Sequence, residues 1–343
     1  MKIGILQPHD TSLWDEFVLK NARTSNYHRS GWRRVITDSF GHTAHDLVAK
    51  DDVGNIVGIL PLVCVKSWLF GTHLVSVPFF NYGGVVADDP LVEEALLRRA
   101  KGLARSIRAS HIELRHTHAM DCDLRVKPHK VTMVLELPPS SERLWKSFPS
   151  KLRSQIRRPI KEGMEVRFGG GELLEAFYRV FSIHMRDLGT PVYAKRFFED
   201  ILRVFPNEST ICVVAHRGTP VAAGFLTQYR DTLEIPWAAS LRRHHVLSPN
   251  MLLYWNVLQY ACDHGFRRFD FGRSSVGGGT ARFKEQWGAK PVPLYWYYAT
   301  EPGASLPQVN VDNPKYRLGI AVWRKLPVWL ASRLGPMVVR GIA

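Results

Sequence analysis

Residues 211–272 read ICVVAHRGTPVAAGFLTQYRDTLEIPWAASLRRHHVLSPNMLLYWNVLQYACDHGFRRFDFG. Two apolar runs, 211–215 and 221–227, flank the turn HRGTP, which is the pattern of a β-hairpin. Residues 232–239 (TLEIPWAA) supply a third strand. From about 249 to 264, Met251, Trp255, Leu258 and Cys262 share one face at helical spacing. Ser248 suits the N-cap of that helix and Pro249 its first position. The run FRRFDFG, 266–272, closes the set as a strand.

The same order stands upstream. Residues 47–50 (LVAK) and 56–64 (IVGILPLVC) flank a turn built from Asp51, Asp52, Gly54 and Asn55. Residues 73–80 (HLVSVPFF) add a short apolar run, followed by the polar, Gly-rich NYGGVVADD. Val92, Leu96, Leu103 and Ile107 predict a helix over 91–109, and HIELR at 111–115 alternates like a strand. Both halves thus run hairpin, strand, polar loop, helix, strand. The offset is 165 residues between Val48 and Val213 and 157 between Glu113 and Asp270. Few identities align, so the repeat is one of pattern. It predicts an α/β (α+β) chain of two tandem domains with mixed sheets flanked by helices. Their expected bounds are 1–139 and 140–300, with a basic C-terminal segment over 301–343.

A length of 343 residues fits two domains. A net charge of +15 favours polyanionic partners such as nucleic acid, nucleotide-linked substrates, coenzyme A or anionic lipid. Cys64, Cys122, Cys212 and Cys262 are scattered without CxxC spacing, so neither a disulfide framework nor a zinc site is expected. The opening MKIGILQPHDTSLWDEF meets Asp10 before an apolar run develops and does not read as a secretory signal. No stretch of uncharged apolar residues is long enough to span a bilayer as a helix. A cytoplasmic protein, with peripheral contact at the inner membrane as its one membrane option, is the expectation.

Between the halves, residues 140–163 (SSERLWKSFPSKLRSQIRRPIKEG) read as basic helix broken or kinked at Pro149 and Pro159. Residues 171–205 read as further helix. The tail, 313–343, holds six basic residues and no acidic one, with Trp323 and Trp329 among Leu and Val. It reads as a C-terminal helix packing back on the first domain or as a basic amphipathic segment on anionic lipid.

The densest functional cluster is FDFGRSSVGGGTARFKEQWGAKP, 269–291. A strand is expected to end at Phe271 and run into a Gly-rich loop with Arg273 and Ser274, followed by Phe283, Lys284 and Trp287. Glycines permit close backbone approach to a ligand, and such a turn can present N–H groups to an anion. No GxxxxGK[ST] is present, so this is not a Walker loop. In the second cluster, 234–255, a strand delivers Trp237 to a loop with Arg242, Arg243, His244 and His245 that opens a helix at Ser248–Asn250. A helix N-terminus with nearby arginines can seat a pyrophosphate or a nucleic-acid backbone. The third, FFNYGGVVADD at 79–89, offers Asn81, Tyr82 and Gly83 to a polar acceptor. The pairs His244–His245 and His116–His118 lack a third ligand at a recognisable spacing, so no metal site is expected. RAKGLA, 99–104, matches the R-x-x-G-x-A pattern that cradles coenzyme A, but it lies in mid-helix, where that cradle does not form.

VKSWLFGTHLVSVPFFNYGGVVADD, SKLRSQIRRPIKEG, MRDLGTPVYAKRFF, IPWAASLRRHHVLSPNMLLYW and FDFGRSS followed by GTARFKEQWGAKP stand here in one order. In these stretches, over roughly 27–298, the chain resembles the FemA/FemB family. It is most similar to the FemAB-like proteins of exosortase A/PEP-CTERM and exopolysaccharide loci. The resemblance implies two N-acetyltransferase-like (GNAT) domains facing across a cleft. It implies transfer of an acyl or aminoacyl group onto an amine of an envelope or exopolysaccharide precursor, with no tightly bound cofactor. A Phe-Lys pair after the Gly-containing loop supports the transition state in that family, and Phe283–Lys284 match it. The acceptor stretch matches Asn81–Gly84. The helical hairpin that some members associate with tRNA is missing, so the donor stays open between aminoacyl-tRNA and acyl-CoA. Asp270 and Asp187 are the candidate bases. An acyl-CoA-dependent N-acyltransferase acting on an amino sugar, and a non-catalytic basic protein that binds nucleic acid or membrane, are the rival readings.

Overall fold

The structure, a computed structural model, describes residues 1–67, 71–300, 306 and 314–342. It divides into two compact units. Unit 1 takes Met1–Lys130, Pro293–Val309 and Val339–Ala343, and unit 2 takes Val131–Val292 and Asn310–Val338.

Unit 1 begins with strand β1 (Lys2–Ile5), helices α1 (Thr11–Lys20) and α2 (Ser30–Phe40) and strands β2 (Thr43–Ala44), β3 (Leu47–Lys50), β4 (Ile56–Leu60), β5 (Val63–Ser67), β6 (Gly71–Val75) and β7 (Val86–Ala87). Helix α3 (Pro90–Ser106), β8 (His111–His116) and β9 (Arg125–Glu136) follow. Next come α4 (Ser141–Ser147), α5 (Ser150–Lys161), β10 (Met164–Gly169), α6 (Leu174–Leu188), α7 (Lys195–Val204), β11 (Ser209–His216), β12 (Thr219–Tyr229) and β13 (Thr232–Ser240). The chain continues through α8 (Pro249–Asp263), β14 (Arg268–Ser275), α9 (Gly279–Glu285), β15 (Lys290–Thr300), α10 (Pro314–Trp323) and α11 (Val328–Val339).

In unit 2 the strand order is β10-β11-β12-β13-β14-β9. The first four pair antiparallel in sequence, as hairpins do, and β14 joins β13 in parallel after the crossover through α8. Residues on alternate positions of these strands, such as Cys212, Val214, Leu233 and Ile235, form one core with Leu253, Val257 and Ala261 of α8. Aromatic side chains of α6 and α7 (Phe177, Phe197, Phe198) pack edge-on against Phe225 and Trp237.

In unit 1 the parallel step recurs: β6 pairs β8 in parallel at Leu74↔Ile112 and Val75↔Glu113. Its strands fall into two groups, β1-β3-β4-β7 and β15-β8-β6-β5-β2. The run 56–64, expected as one strand, divides at Pro61–Leu62. Proline has no N–H for the ladder, and the N–H of Leu62 is held instead by the buried Asp46 carboxylate at 3.0 Å. Burial pushes Asp46 up to about 6, against the pull of Arg33. In β12 the corresponding irregularity is only a register shift between Phe225 and Thr227.

Several expectations are corrected. The first stretch of unit 1 ends at Lys130, nine residues before the expected bound at 139, because Val131, Met133 and Leu135 of β9 join the core of unit 2. The chain returns to unit 1 within β15, where Tyr295–Thr300 pair with His111–His116. Of the expected segment 301–343, residues 301–305, 307–313 and 343 lie outside the described residues; of the described tail, residues 314–338 belong not to the first domain but to unit 2. There Arg324 donates to the carbonyl of Leu188, and the guanidinium of Arg186 donates to that of Leu326. Pro149 separates α4 from α5, but Pro159 stands inside α5 without ending it. Ser248 is left-handed (φ 58°) and its side chain makes no cap.

Candidate active site

The two parallel strands of unit 2 stay together only briefly. Their register covers Thr232↔Arg268, Leu233↔Phe269 and Glu234↔Asp270. Beyond that point each strand runs on, β13 to Ser240 and β14 to Ser275, without pairing to the other. Both carboxyl ends therefore open at one edge of the sheet, which is where α/β folds bind ligands. The loop to α8 follows the end of β13, and α9 follows the end of β14.

Lys284 enters the opening from α9. It is 7% exposed, and its ammonium donates to the carbonyls of Gly272 at 2.8 Å and Arg273 at 3.0 Å. Gly272 has φ 75°, a conformation open to glycine at little cost. That twist falls where β14 leaves β13. The ammonium has three donors. Two are used, and the third has no protein acceptor among the described residues. Burial lowers the lysine to about 8, opposed by the charges of Asp270 and Glu234 and aided by that of Arg273. It stays mostly protonated at neutral pH.

Asp270 is buried at the last paired position. It accepts from the Thr132 hydroxyl at 2.5 Å and from the Gly272 N–H at 2.7 Å. Glu234 stands beside it in register and is equally buried. The hydroxyl of Ser274, 4% exposed, finds no hydrogen-bond partner among the described residues. Such an orphaned group is costly unless something fills the site. Phe283 is half-buried against Tyr254 of α8 (5.1 Å between ring centres), and Tyr254 stacks on Phe271 of β14 (5.5 Å). Asn250 lies one turn before Tyr254 on the same face of α8. Arg242 and Arg243 are exposed on the 3-10 turn Arg242–Leu247 ahead of that helix.

Arg273, Ser274, Phe283 and Lys284 thus stand on β14 and α9, and Arg242, Arg243 and Asn250 on α8 and the turn ahead of it. Two expected ligand contacts are packed into aromatic clusters instead. Trp287 is 1% exposed and sits in the core between Phe148 (5.6 Å) and Tyr254 (6.1 Å). Trp237 is buried in the cluster of Phe197, Phe198 and Phe225. The expected Gly-rich loop is also shorter: β14 continues through Ser275, so Arg273 and Ser274 are strand residues with opposite exposure. Sequence reading missed Thr132 and Glu234. The alternation Val131, Met133, Leu135 in β9 would have located Thr132 on the opposite face. Asp187 is tied to Arg186 at 2.7 Å on α6, a structural pairing.

Asn81, Tyr82 and Gly83 belong to unit 1, in the loop where β6 has ended and β8 runs on. The Gly83 N–H donates to the Arg115 carbonyl at 2.9 Å, and the Trp296 indole donates to the Asn81 carbonyl at 3.2 Å. Tyr82 stands edge-on to Tyr27 at 5.4 Å. Val77 (φ 49°) and Phe79 (φ 74°) are left-handed, an unfavourable state for a β-branched and a bulky residue. Strain of this kind concentrates at functional segments. His116 and His118 stand edge to face at 5.2 Å. Among the described residues no group of three or more His, Cys, Asp or Glu could hold a metal ion.

Residues 147–285 match the model of the acetyltransferase (GNAT) domain. Unit 2 is thus similar to a GNAT domain over these residues, and Lys284 lies at the end of the matched segment. A UDP-N-acetylmuramoylpentapeptide-lysine N(6)-alanyltransferase of Weissella viridescens is 24% identical over 147 residues, 42% of this chain and 44% of that one. The chain thus matches under half the length of this curated relative. The crystal structure of FemX superposes with a TM-score of 0.67 at 16% identity, covering 88% of this chain and 98% of that one. A tandem GNAT protein from the clavulanic acid biosynthesis pathway gives 0.55 at 13% identity, covering 89% and 99%. L-PGS from Bacillus licheniformis gives 0.56 at 16%, covering 94% and 97%. These likenesses establish the fold: two tandem GNAT-like domains with mixed sheets flanked by helices.

Proposed function

We propose that the protein is a FemAB-like acyltransferase that moves an aminoacyl or acyl group onto an amine of a cell-envelope or exopolysaccharide precursor. The observation that carries this reading is the Lys284 ammonium, buried where β13 and β14 part, with one N–H left for a substrate oxygen. Attack of an amine on an acyl carbonyl places negative charge on that oxygen. A fixed, desolvated cation stabilises the charge as it develops. The attacking amine must be neutral. Asp270, close to the lysine, is the proposed acceptor of its proton. As the acyl–oxygen bond to the tRNA (or the acyl–sulfur bond to coenzyme A) breaks, that proton passes to the leaving hydroxyl or thiol. Ser274, Phe283 and Asn250 line the approach. Arg242, Arg243 and the N-terminus of α8 would seat the polyanionic part of the donor. Asn81, Tyr82 and Gly83 would hold the acceptor.

The alanyltransferase relative supports an envelope precursor as acceptor, and the resemblance to FemAB proteins of exosortase A/PEP-CTERM loci supports the exopolysaccharide form of it. A purely nucleic-acid-binding protein would keep its lysines on the surface for phosphate contacts, whereas Lys284 is withdrawn from it.

Titration of the protein with acetyl-CoA and, separately, with charged and uncharged tRNA at fixed moderate salt distinguishes the donors. Preferential binding of charged over uncharged tRNA is the expected result, with affinity lost on changing Arg242 and Arg243 together. Saturable micromolar acetyl-CoA binding sensitive to those arginines reassigns the protein to acyl-CoA-dependent N-acylation of an amino sugar. Binding of neither above the salt-dependent background removes both donors.

A further inference from the structure

Helix α11 is built inside out for a helix facing water. Its buried stripe is Ala331, Gly335 and Val339, one turn apart, small along most of its length. A Cβ on Gly335 would stand 2.8 Å from both the backbone nitrogen and the carbonyl oxygen of Val192, so the helix backbone lies directly on that segment. Its bulkiest side chains point the other way. Trp329 is 68% exposed and Met337 73%, with Leu334 beside them. The exposed Arg333 falls on the same stripe, at i+4 from Trp329 and i−4 from Met337. In α10, Leu318 (67%) and Val322 (54%) form another exposed pair one turn apart. Ordinary surfaces scatter such residues singly. Here they are gathered on two short helices of a segment, 313–343, with six Lys or Arg and no Asp or Glu.

We infer that α10 and α11 form a docking surface for an anionic lipid bilayer. Trp and Met on an exposed helical face insert at the level of the headgroups, and arginine stems lie along the apolar surface while their charge reaches the phosphates. The exposed Arg317, Lys325 and Arg333 supply the electrostatic half of the attraction, which is worth roughly a fivefold gain in affinity per cation near an anionic surface. A protein partner would need its own acidic and apolar complement, whereas a bilayer of anionic lipid presents both along its whole surface. No described helix is long and apolar enough to cross a membrane, so the contact is peripheral.

The test uses the full chain and no acyl transfer, so its outcome is independent of the enzymatic reading. Co-sedimentation is measured with vesicles of phosphatidylcholine alone and of phosphatidylcholine mixed with phosphatidylglycerol. The expected result is binding to the mixed vesicles that is at least about tenfold tighter than to the neutral ones and weakens with salt. Trp329→Ser with Met337→Ser, and separately Lys325→Glu with Arg333→Glu, each abolish that binding while the thermal midpoint stays put. Both pairs are solvent-facing, so misfolding does not intervene. The inference is overturned if the wild-type chain stays in the supernatant with mixed vesicles, or if both double variants sediment as it does. It is equally overturned if light scattering shows a lipid-free oligomer that the Trp329/Met337 variant dissolves, because the stripe is then a self-association face.

Discussion

Replacing Lys284 by Met lowers the rate of acyl transfer about 10²- to 10³-fold, the usual loss when one group that stabilises an oxyanion is removed. Donor affinity should hardly change, since Arg242 and Arg243 are exposed ahead of α8 and Lys284 is buried on a different element, α9. The same substitution leaves stability nearly level. Holding the ammonium at about 8 instead of the ordinary 10.5 of a lysine costs the fold about 3 kcal/mol at neutral pH. Removing it leaves the carbonyls of Gly272 and Arg273 without their donor, at about 1–3 kcal/mol each. These effects oppose one another and are of similar size.

The pH dependence has a definite sign. Turnover needs the protonated lysine, so it falls as pH rises through about 8. Stability moves the other way. Between about 8 and 10.5 the unfolded chain holds a proton that the folded chain has released, so this group stabilises the fold progressively as pH rises. Lys284→Met lacks both trends. A variant that retained wild-type turnover, or that lost donor binding in proportion to rate, would sink the assignment of Lys284 to the transition state.

What the sequence made legible was decided by period and by turn chemistry. The hairpin β11-β12, strand β13 and helix α8 fall within a few residues of their expected bounds because alternation and the 3.6-residue repeat are strong there. The strands β9 and β15 were equally well patterned, with Val131, Met133 and Leu135 in one and Leu294, Trp296 and Tyr298 in the other. They went unread because they lie where the chain passes between units, outside the order that both halves repeat. The site was legible in part. Lys284 and Phe283 came from the family resemblance, and nothing in the local sequence says that this lysine is buried. Burial follows from the turn at Gly272, which presents a carbonyl to it from another element. Trp237 and Trp287 stand in the quoted clusters, and their packing against Phe225 and Phe148 is long-range and invisible locally.

Arg115→Leu destabilises unit 1 by about 3–5 kcal/mol, the cost of breaking a buried ion pair from one side. The guanidinium is 1% exposed. It meets the Glu113 carboxylate at 2.6 Å, donates to the Phe80 carbonyl at 2.5 Å and lies 4.4 Å from the centre of the Trp296 ring. Leucine fills some of the volume and none of the charge, so the buried Glu113 loses its partner and Phe80 loses its donor. Removing both charges, with Glu113→Leu added, recovers most of the loss, because the costly species is the unpaired carboxylate. The Phe80 bond is not recovered, and this separates fold from function. Phe80 opens the strained loop that carries Asn81, Tyr82 and Gly83, and Gly83 is itself anchored on the Arg115 backbone. The double variant is therefore expected to melt near the wild type yet bind acceptor more weakly, with donor binding in unit 2 unchanged. Chemical denaturation of the two variants, followed by acceptor and donor titrations on the double, measures each part. Equal stability of the single variant and the wild type would show that Arg115 does not hold the loop through charge at all.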